Sequence, residues 1–159
     1  MKLAIIALGK LKEKHYREAC SEYCKRLSTM RALDIIELHE ELISDESDPS
    51  LVAKSLEREA KQIISALRPD DLPVALSMRG QMIDSLSFAN MIEPISNPDT
   101  KRMAFIIGSS HGLAPAVYAS CSVQLSFGPM TFPHQLARIM LLEQIYRAEM
   151  INRGRRYHK

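Results

Sequence analysis

Long uncharged apolar runs are missing from this chain of 159 residues. None reaches the roughly 18 residues that would make a candidate membrane-spanning helix, and Met1 is followed by no signal-peptide cleavage pattern. A cytoplasmic protein is expected. Cysteine is also scarce: Cys20, Cys24 and Cys121 are odd in number and lack framework spacing, which argues against a disulfide scaffold. Cys20 and Cys24 sit four apart on a predicted helix with no further ligands nearby, so no metal site is expected. Repeats, low-complexity tracts and linkers are absent, and the length suits one domain over 1–159. Gly108-Ser-Ser-His-Gly112 is neither a dinucleotide fingerprint nor a phosphate loop with its lysine. No serine occupies a nucleophile elbow, which leaves hydrolase chemistry with little support.

What is present is the composition of a globular protein, 46% hydrophobic and 25% charged. The run Lys2 to Leu8, closed by Gly9, suits a strand buried on both faces. Apolar residues from Glu13 to Met30 recur at steps of three and four, which predicts an amphipathic helix. Ala32 to His39 reads as a second strand. After the acidic loop 40–48, Asp48-Pro49 predicts a helix start, and the helix should stop at Arg68-Pro69. A third strand is expected from Pro73 to Met78, ending near Arg79-Gly80. Ser85 is expected to cap a short helix, Leu86 to Met91, broken by Pro94.

The stretch Met103 to Arg147 organises the rest. It predicts a strand to Ile107, a glycine loop, a short helix at 115–120, a strand at 122–126, a glycine-proline loop and a long helix from Pro133. Alternation of this kind argues for an α/β domain with a mainly parallel sheet and helices on both faces. Gly108, Gly112, Gly128 and Pro129 follow strand ends, where backbone can approach a ligand. Backbone groups there, with Leu76 and Phe132 beside them, would suit a neutral ring such as adenine and hence a small adenosine-containing ligand.

The last helix is apolar nearly all round between Ala137 and Leu142, so both its sides need cover. That predicts a homodimer with this helix in the interface; the alternative is a central core helix. His15 and His39 read as surface or cap residues. His111 lies in a glycine loop. His134 falls in the first turn of the last helix, where exposed N–H groups disfavour a charged imidazole. Cys121 opens a strand where burial would leave it inert.

Charge is uneven. The net charge is +2, yet Arg147 to Lys159 carries five basic residues against Glu149, so the rest of the chain is slightly negative. Arginines in such a tail can neutralise phosphates and a tyrosine can stack on an unpaired base; a solvated basic tail is the competing explanation.

Phe105-Ile-Ile-Gly108, Gly112-Leu113, Leu125-Ser126, Met130-Thr-Phe-Pro-His-Gln-Leu-Ala-Arg138, Leu142-Glu-Gln-Ile-Tyr-Arg-Ala148 and the terminal Tyr157-His158-Lys159 together resemble the ribosomal RNA large subunit methyltransferase H family. This is a SPOUT-class family of S-adenosylmethionine (SAM)-dependent enzymes. The resemblance spans the whole chain, including Leu76-x-x-x-Gly80-x-x-x-x-Ser85-x-x-Phe88-Ala89.

The resemblance implies a homodimer and a C-terminal trefoil knot, with the knotted cofactor-binding part at about 73–159. Nothing in the periodicity predicts a knot, and general chain topology argues against one. It also implies methylation of N3 of a pseudouridine in 23S ribosomal RNA on assembled ribosomes. Its cofactor contacts fall on Leu76, Gly108, Phe127, Gly128, Pro129, Met130, Thr131 and Phe132. Its catalytic and base-holding candidates are Arg147, Tyr157 and His158, with Arg153, Arg155, Arg156 and Lys159 on RNA. Arg147 or Glu143 would help order the tail. Ser109 stands where the family usually has a second glycine, and Ser77 where it commonly has aspartate. A SPOUT enzyme acting on tRNA, or a non-catalytic RNA-binding or ribosome-associated module, are the alternatives.

Overall fold

A computed structural model describes residues 1–93 and 101–157. Pro94, His158 and Lys159 lie outside them. The elements follow in strict alternation: β1 (Lys2–Leu8), α1 (Lys14–Leu27), β2 (Leu33–Leu38), α2 (Pro49–Ala66), β3 (Asp71–Met82), α3 (Ser85–Ile92), β4 (Arg102–Ile107), α4 (Pro115–Ser120), β5 (Val123–Ser126) and α5 (His134–Asn152). The five strands form one sheet in the order β2-β1-β4-β3-β5. Every pairing among them is parallel.

The two central strands show why their sequences are continuous apolar runs. In β1, Leu3, Ile5 and Ala7 join a core with α1, α3 and α5, whereas Ala4, Ile6 and Leu8 face α2, α4 and the segment after α2. In β4, Met103, Phe105 and Ile107 take the first side, Ala104 and Ile106 the second. A strand covered by helices on both faces has no solvent side to make polar. The expected helices on both faces are therefore present.

The first residue of β4 breaks the apolar rule. Arg102 is 1% exposed, and its charge is met by Asp71, its register partner on β3. The expected start at Met103 left this residue out because a lone arginine reads as a strand end; its partner is 31 residues away in sequence.

β3 also runs further than expected. Leu125 of β5 is the register partner of both Leu76 and Gln81, so the residues between them leave the ladder and the strand then resumes. Gly80, read from sequence as a stop, is instead where the two backbones meet: a Cβ there would lie 2.5 Å from the Leu125 carbonyl carbon. The missing side chain serves close approach rather than a turn.

Asp48 caps α2 as expected, its carboxylate accepting from the Ser50 N–H at 2.8 Å. α3 corrects the expectation at Ser85. Asp84 is the cap, accepting from the Ser87 N–H at 2.7 Å, while the Ser85 hydroxyl donates to Gln144 Oε1 on α5 at 2.8 Å.

α5 packs against α1 and α3 on one face of the sheet. It runs parallel to α1: near its start Gln135 Oε1 accepts from the Lys12 N–H at 3.0 Å, and near its end Glu149 pairs with Arg31. No residue from His134 to Ile151 is fully exposed even in the single chain. Among the described residues no helix is long and apolar enough to cross a membrane.

Candidate functional site

At the carboxyl ends of β3, β4 and β5 the chain leaves a cavity of about 600 Å³, inside the roughly 300–1,000 Å³ typical of small-molecule sites. Three segments wall it: 76–79 from β3, 107–112 after β4, and the stretch from Gln124 to Phe132, with His134 and Ala137 from the first turn of α5. Of the eight cofactor-binding candidates, seven line it: Leu76, Gly108, Phe127, Gly128, Met130, Thr131 and Phe132. Pro129 is exposed on the outside of the same loop and is not in the lining.

Each wall has a local cause. Residues 77–79 project because β3 leaves its register with β5 there; the Ser77 hydroxyl accepts from the Arg79 N–H at 3.2 Å and turns the segment. The 108–112 segment is folded onto itself, with the Gly112 N–H donating to Ser109 O at 3.0 Å. A Cβ on Gly108 would stand 2.2 Å from Gly112 O, so only glycine fits. In the third wall the Gly128 N–H donates to Ser126 Oγ at 3.1 Å. Gly128 has φ +121°, a conformation that side-chain-bearing residues rarely adopt, and faces open space.

The lining is apolar in Leu76, Ile107, Leu125, Phe127 and Phe132, with hydroxyls from Ser77, Ser109 and Thr131. Arg79 is the one permanently charged side chain among the described lining residues. His134 is half-buried, its Nε2 4.0 Å from Glu40 Oε2. Burial pushes its imidazole below the usual histidine range; Glu40 opposes this, and Arg138 and Lys12 add to it. The expected direction is thus present, with burial rather than the helix N-terminus as the leading cause. His111 also lines the cavity, its Nδ1 3.2 Å from the Ser110 hydroxyl.

Sequence reasoning missed Glu59. It is 1% exposed on α2 behind the 108–112 turn, accepting from Ser109 Oγ at 2.9 Å and from the Glu41 N–H at 3.0 Å. The available signal was its position: three residues after Leu56 and four before Ile63, it falls on the apolar stripe of α2.

The tail candidates lie elsewhere. Arg147 is 13 residues along α5 from His134, roughly 20 Å at 1.5 Å per residue, and Tyr157 lies beside it. Glu143 organises this end as expected: its Oε1 accepts from Arg147 Nη2 at 2.7 Å and from the Tyr157 hydroxyl at 3.3 Å. The Arg147 guanidinium stands 4.8 Å from the centroid of the Tyr157 ring, which meets Tyr146 edge-on at 5.0 Å. Burial and the Glu143 carboxylate push the Tyr157 phenol up, so it is a hydrogen-bond donor at neutral pH. Arg153 is held by Glu149 and Met30 O. Arg155 and Arg156 are exposed. Within one chain, then, the cavity takes in the first turn of α5 while the described tail residues meet the helix from Glu143 onward.

The family model described as "Predicted SPOUT methyltransferase" matches residues 1–158. The chain belongs to the SPOUT methyltransferase family. The ribosomal RNA large subunit methyltransferase H of Lactococcus lactis subsp. lactis (strain IL1403) is 42% identical over 159 residues, covering 100% of both chains. That of Carboxydothermus hydrogenoformans is 40% identical over the same span, again 100% of both. Among solved structures, a probable methyltransferase from Bordetella pertussis Tohama I superposes with a TM-score of 0.56 at 15% identity, covering 93% of this chain and 94% of that one. A Legionella pneumophila protein solved with bound SAM superposes with a TM-score of 0.52 at 15% identity over 93% of this chain and 66% of that one. At such identities the structures speak to the fold alone, and the family model and the sequence relatives to the family.

Proposed function

We propose that this SPOUT methyltransferase uses SAM to methylate large-subunit ribosomal RNA, at N3 of a pseudouridine, on assembled ribosomes in the cytoplasm. The observation that carries this is the coincidence of the cavity with the backbone-rich segments at Leu76, Gly108 and 127–132, in a chain whose full-length relatives are large-subunit rRNA methyltransferases.

The lining suits SAM. Apolar walls and backbone N–H and C=O groups fit an adenine ring, Ser77, Ser109 and Thr131 fit ribose hydroxyls, and Arg79 fits the carboxylate of the amino-acid arm. Bound there, SAM would supply an electrophilic methyl group on a sulfonium. The chain's own task is to hold the acceptor base in line with that group. Tyr157, its hydroxyl held by Glu143, offers a ring face, and Arg147, Arg155 and Arg156 offer cations for the RNA backbone. His158 is the candidate to take the N3 proton.

The described tail residues meet α5 between Glu143 and Met150, outside the cavity lining, which supports a homodimer in which a second copy's tail completes the site and α5 contributes to the interface. The part at about 73–159 is then the trefoil-knotted, cofactor-binding part of a single domain.

Calorimetry with SAM and mass spectrometry of rRNA test this. In a strain lacking the endogenous enzyme, expression of this chain should add one methyl group to a pseudouridine-bearing fragment of 23S rRNA. A new methyl group found only in tRNA, or SAM binding absent in calorimetry, would overturn the proposal.

A further inference from the structure

Glu59 is buried, is not in the cavity lining, and joins two separate parts of the site. One carboxylate oxygen accepts from the Ser109 hydroxyl at 2.9 Å, which fixes the turn whose glycines form one wall. The other accepts from the Glu41 N–H at 3.0 Å. That second bond fixes the segment after β2, whose Glu40 faces His134 on the other wall. One turn further along α2, Gln62 brackets the same segment through His39 N and O, both at 3.1 Å. Arg58 adds a third attachment of this segment to α2, donating to Glu41 Oε2 at 3.4 Å. Among the described residues, the Ser109 hydroxyl has one hydrogen bond, to Glu59.

We propose that Glu59 is a positioning residue for the cofactor: acting through Ser109, it holds the 108–112 turn in the shape that SAM binds. The inference rests on the SAM reading of the cavity. An ionised carboxylate is an acceptor at both oxygens, and both are used by donors here. Glutamine has one acceptor oxygen and an amide that donates, so Glu59→Gln keeps the volume and turns both charge-assisted bonds into neutral ones, with the Ser109 hydroxyl accepting from the amide. The carboxyl is pushed above its ordinary range by burial, against which the Glu41 N–H and the Ser109 hydroxyl both act; its environment is built around those two bonds. Ser109 is the complementary probe, because it is half-buried and its hydroxyl can be removed without a cavity in the core.

The test is a double-mutant cycle read by SAM calorimetry on the full chain. Glu59→Gln and Ser109→Ala should each weaken SAM binding about tenfold, the scale of one charge-assisted hydrogen bond. The double variant should be no weaker than the worse single one, because both act on the same link. In RNA methylation, KM for SAM should rise with kcat nearly unchanged, since Glu59 touches no reactant. Should Glu59→Gln fail to fold, Glu59→Asp, whose shorter side chain draws the carboxylate away from Ser109, takes its place in the cycle. Wild-type affinity in Ser109→Ala, or losses that multiply in the double variant, would overturn the inference while leaving the SAM site intact. A wild-type protein that binds no SAM would overturn the SAM reading and this inference with it.

Discussion

Asp71 and Arg102 stand opposite each other on adjacent parallel strands, and the Asp71 carboxylate accepts two hydrogen bonds from the guanidinium, from Nε at 2.7 Å and Nη2 at 2.6 Å, with both side chains 1% exposed. The third guanidinium nitrogen, Nη1, has the Asp34 carboxylate at 3.8 Å. Removing one partner strands a buried charge, so Asp71→Asn should cost about 3–5 kcal/mol. The double replacement Asp71→Leu with Arg102→Met should cost less than either single one. Urea denaturation of Asp71→Asn, Asp71→Leu, Arg102→Met and the double variant checks this.

Gly80→Ala should be among the most damaging single changes in the chain. Its Cβ would meet the Leu125 carbonyl carbon at 2.5 Å and the Gln124 carbonyl carbon at 2.7 Å, both backbone atoms that cannot rotate away. We expect a loss of about 3 kcal/mol from overpacking. Gly128→Ala has open space and suffers only from its φ of +121°, a strain of about 1–3 kcal/mol. Thermal denaturation should rank Gly80→Ala below Gly128→Ala.

His134 gives the stability a pH dependence of defined sign. Its folded-state pKa lies below the ordinary 6.5, so the unfolded chain binds the proton more tightly. The stabilisation is complete above 6.5 and is lost as the pH falls from there through the depressed folded value. The Tm of the wild type should fall more steeply over that window than the Tm of His134→Gln, in buffers of matched ionic strength.

Tail and cavity should be separable functions. A chain ending at residue 152 should bind SAM within about twofold of wild type, a surface-change scale, and lose RNA methylation. Mixed with Thr131→Trp, whose tail is intact and whose enlarged side chain starts from an exposed position in the cavity lining, it should regain part of the activity. Failure of the mixture, with mixed dimers demonstrated by native mass spectrometry, would sink the shared site.

The thiols should be silent. Burial pushes Cys20 up to about 11 and raises Cys24 and Cys121 as well. At about pH 8, close to the pKa of a free thiol, an alkylating reagent should label the folded protein slowly and the urea-unfolded protein at once.

The strands and helices were readable because β1 and β4 are covered on both faces and the helix periods are regular. The glycines of the cavity wall were readable because glycines at strand ends have few structural explanations. Three features had no local signal. β3 resumes after its excursion because of an approach by β5, some 45 residues later in the chain, so Gly80 looked like a terminus. Arg102 and Glu59 are charges on apolar patterns, each satisfied by partners far off in sequence. The placement of the tail depends on α5 running parallel to α1, which helical periodicity does not encode.

The sheet order has a consequence for synthesis on the ribosome. β1 is made first and pairs with β2 on one edge, but its other edge belongs to β4, with Lys2 opposite Arg102. At roughly 5–20 residues per second, the 99 residues between Leu8 and Ile107 take about 5–20 s to appear. For that interval a seven-residue apolar strand has one edge without its partner. The nascent N-terminal half should therefore depend on chaperone cover until β4 has left the exit tunnel.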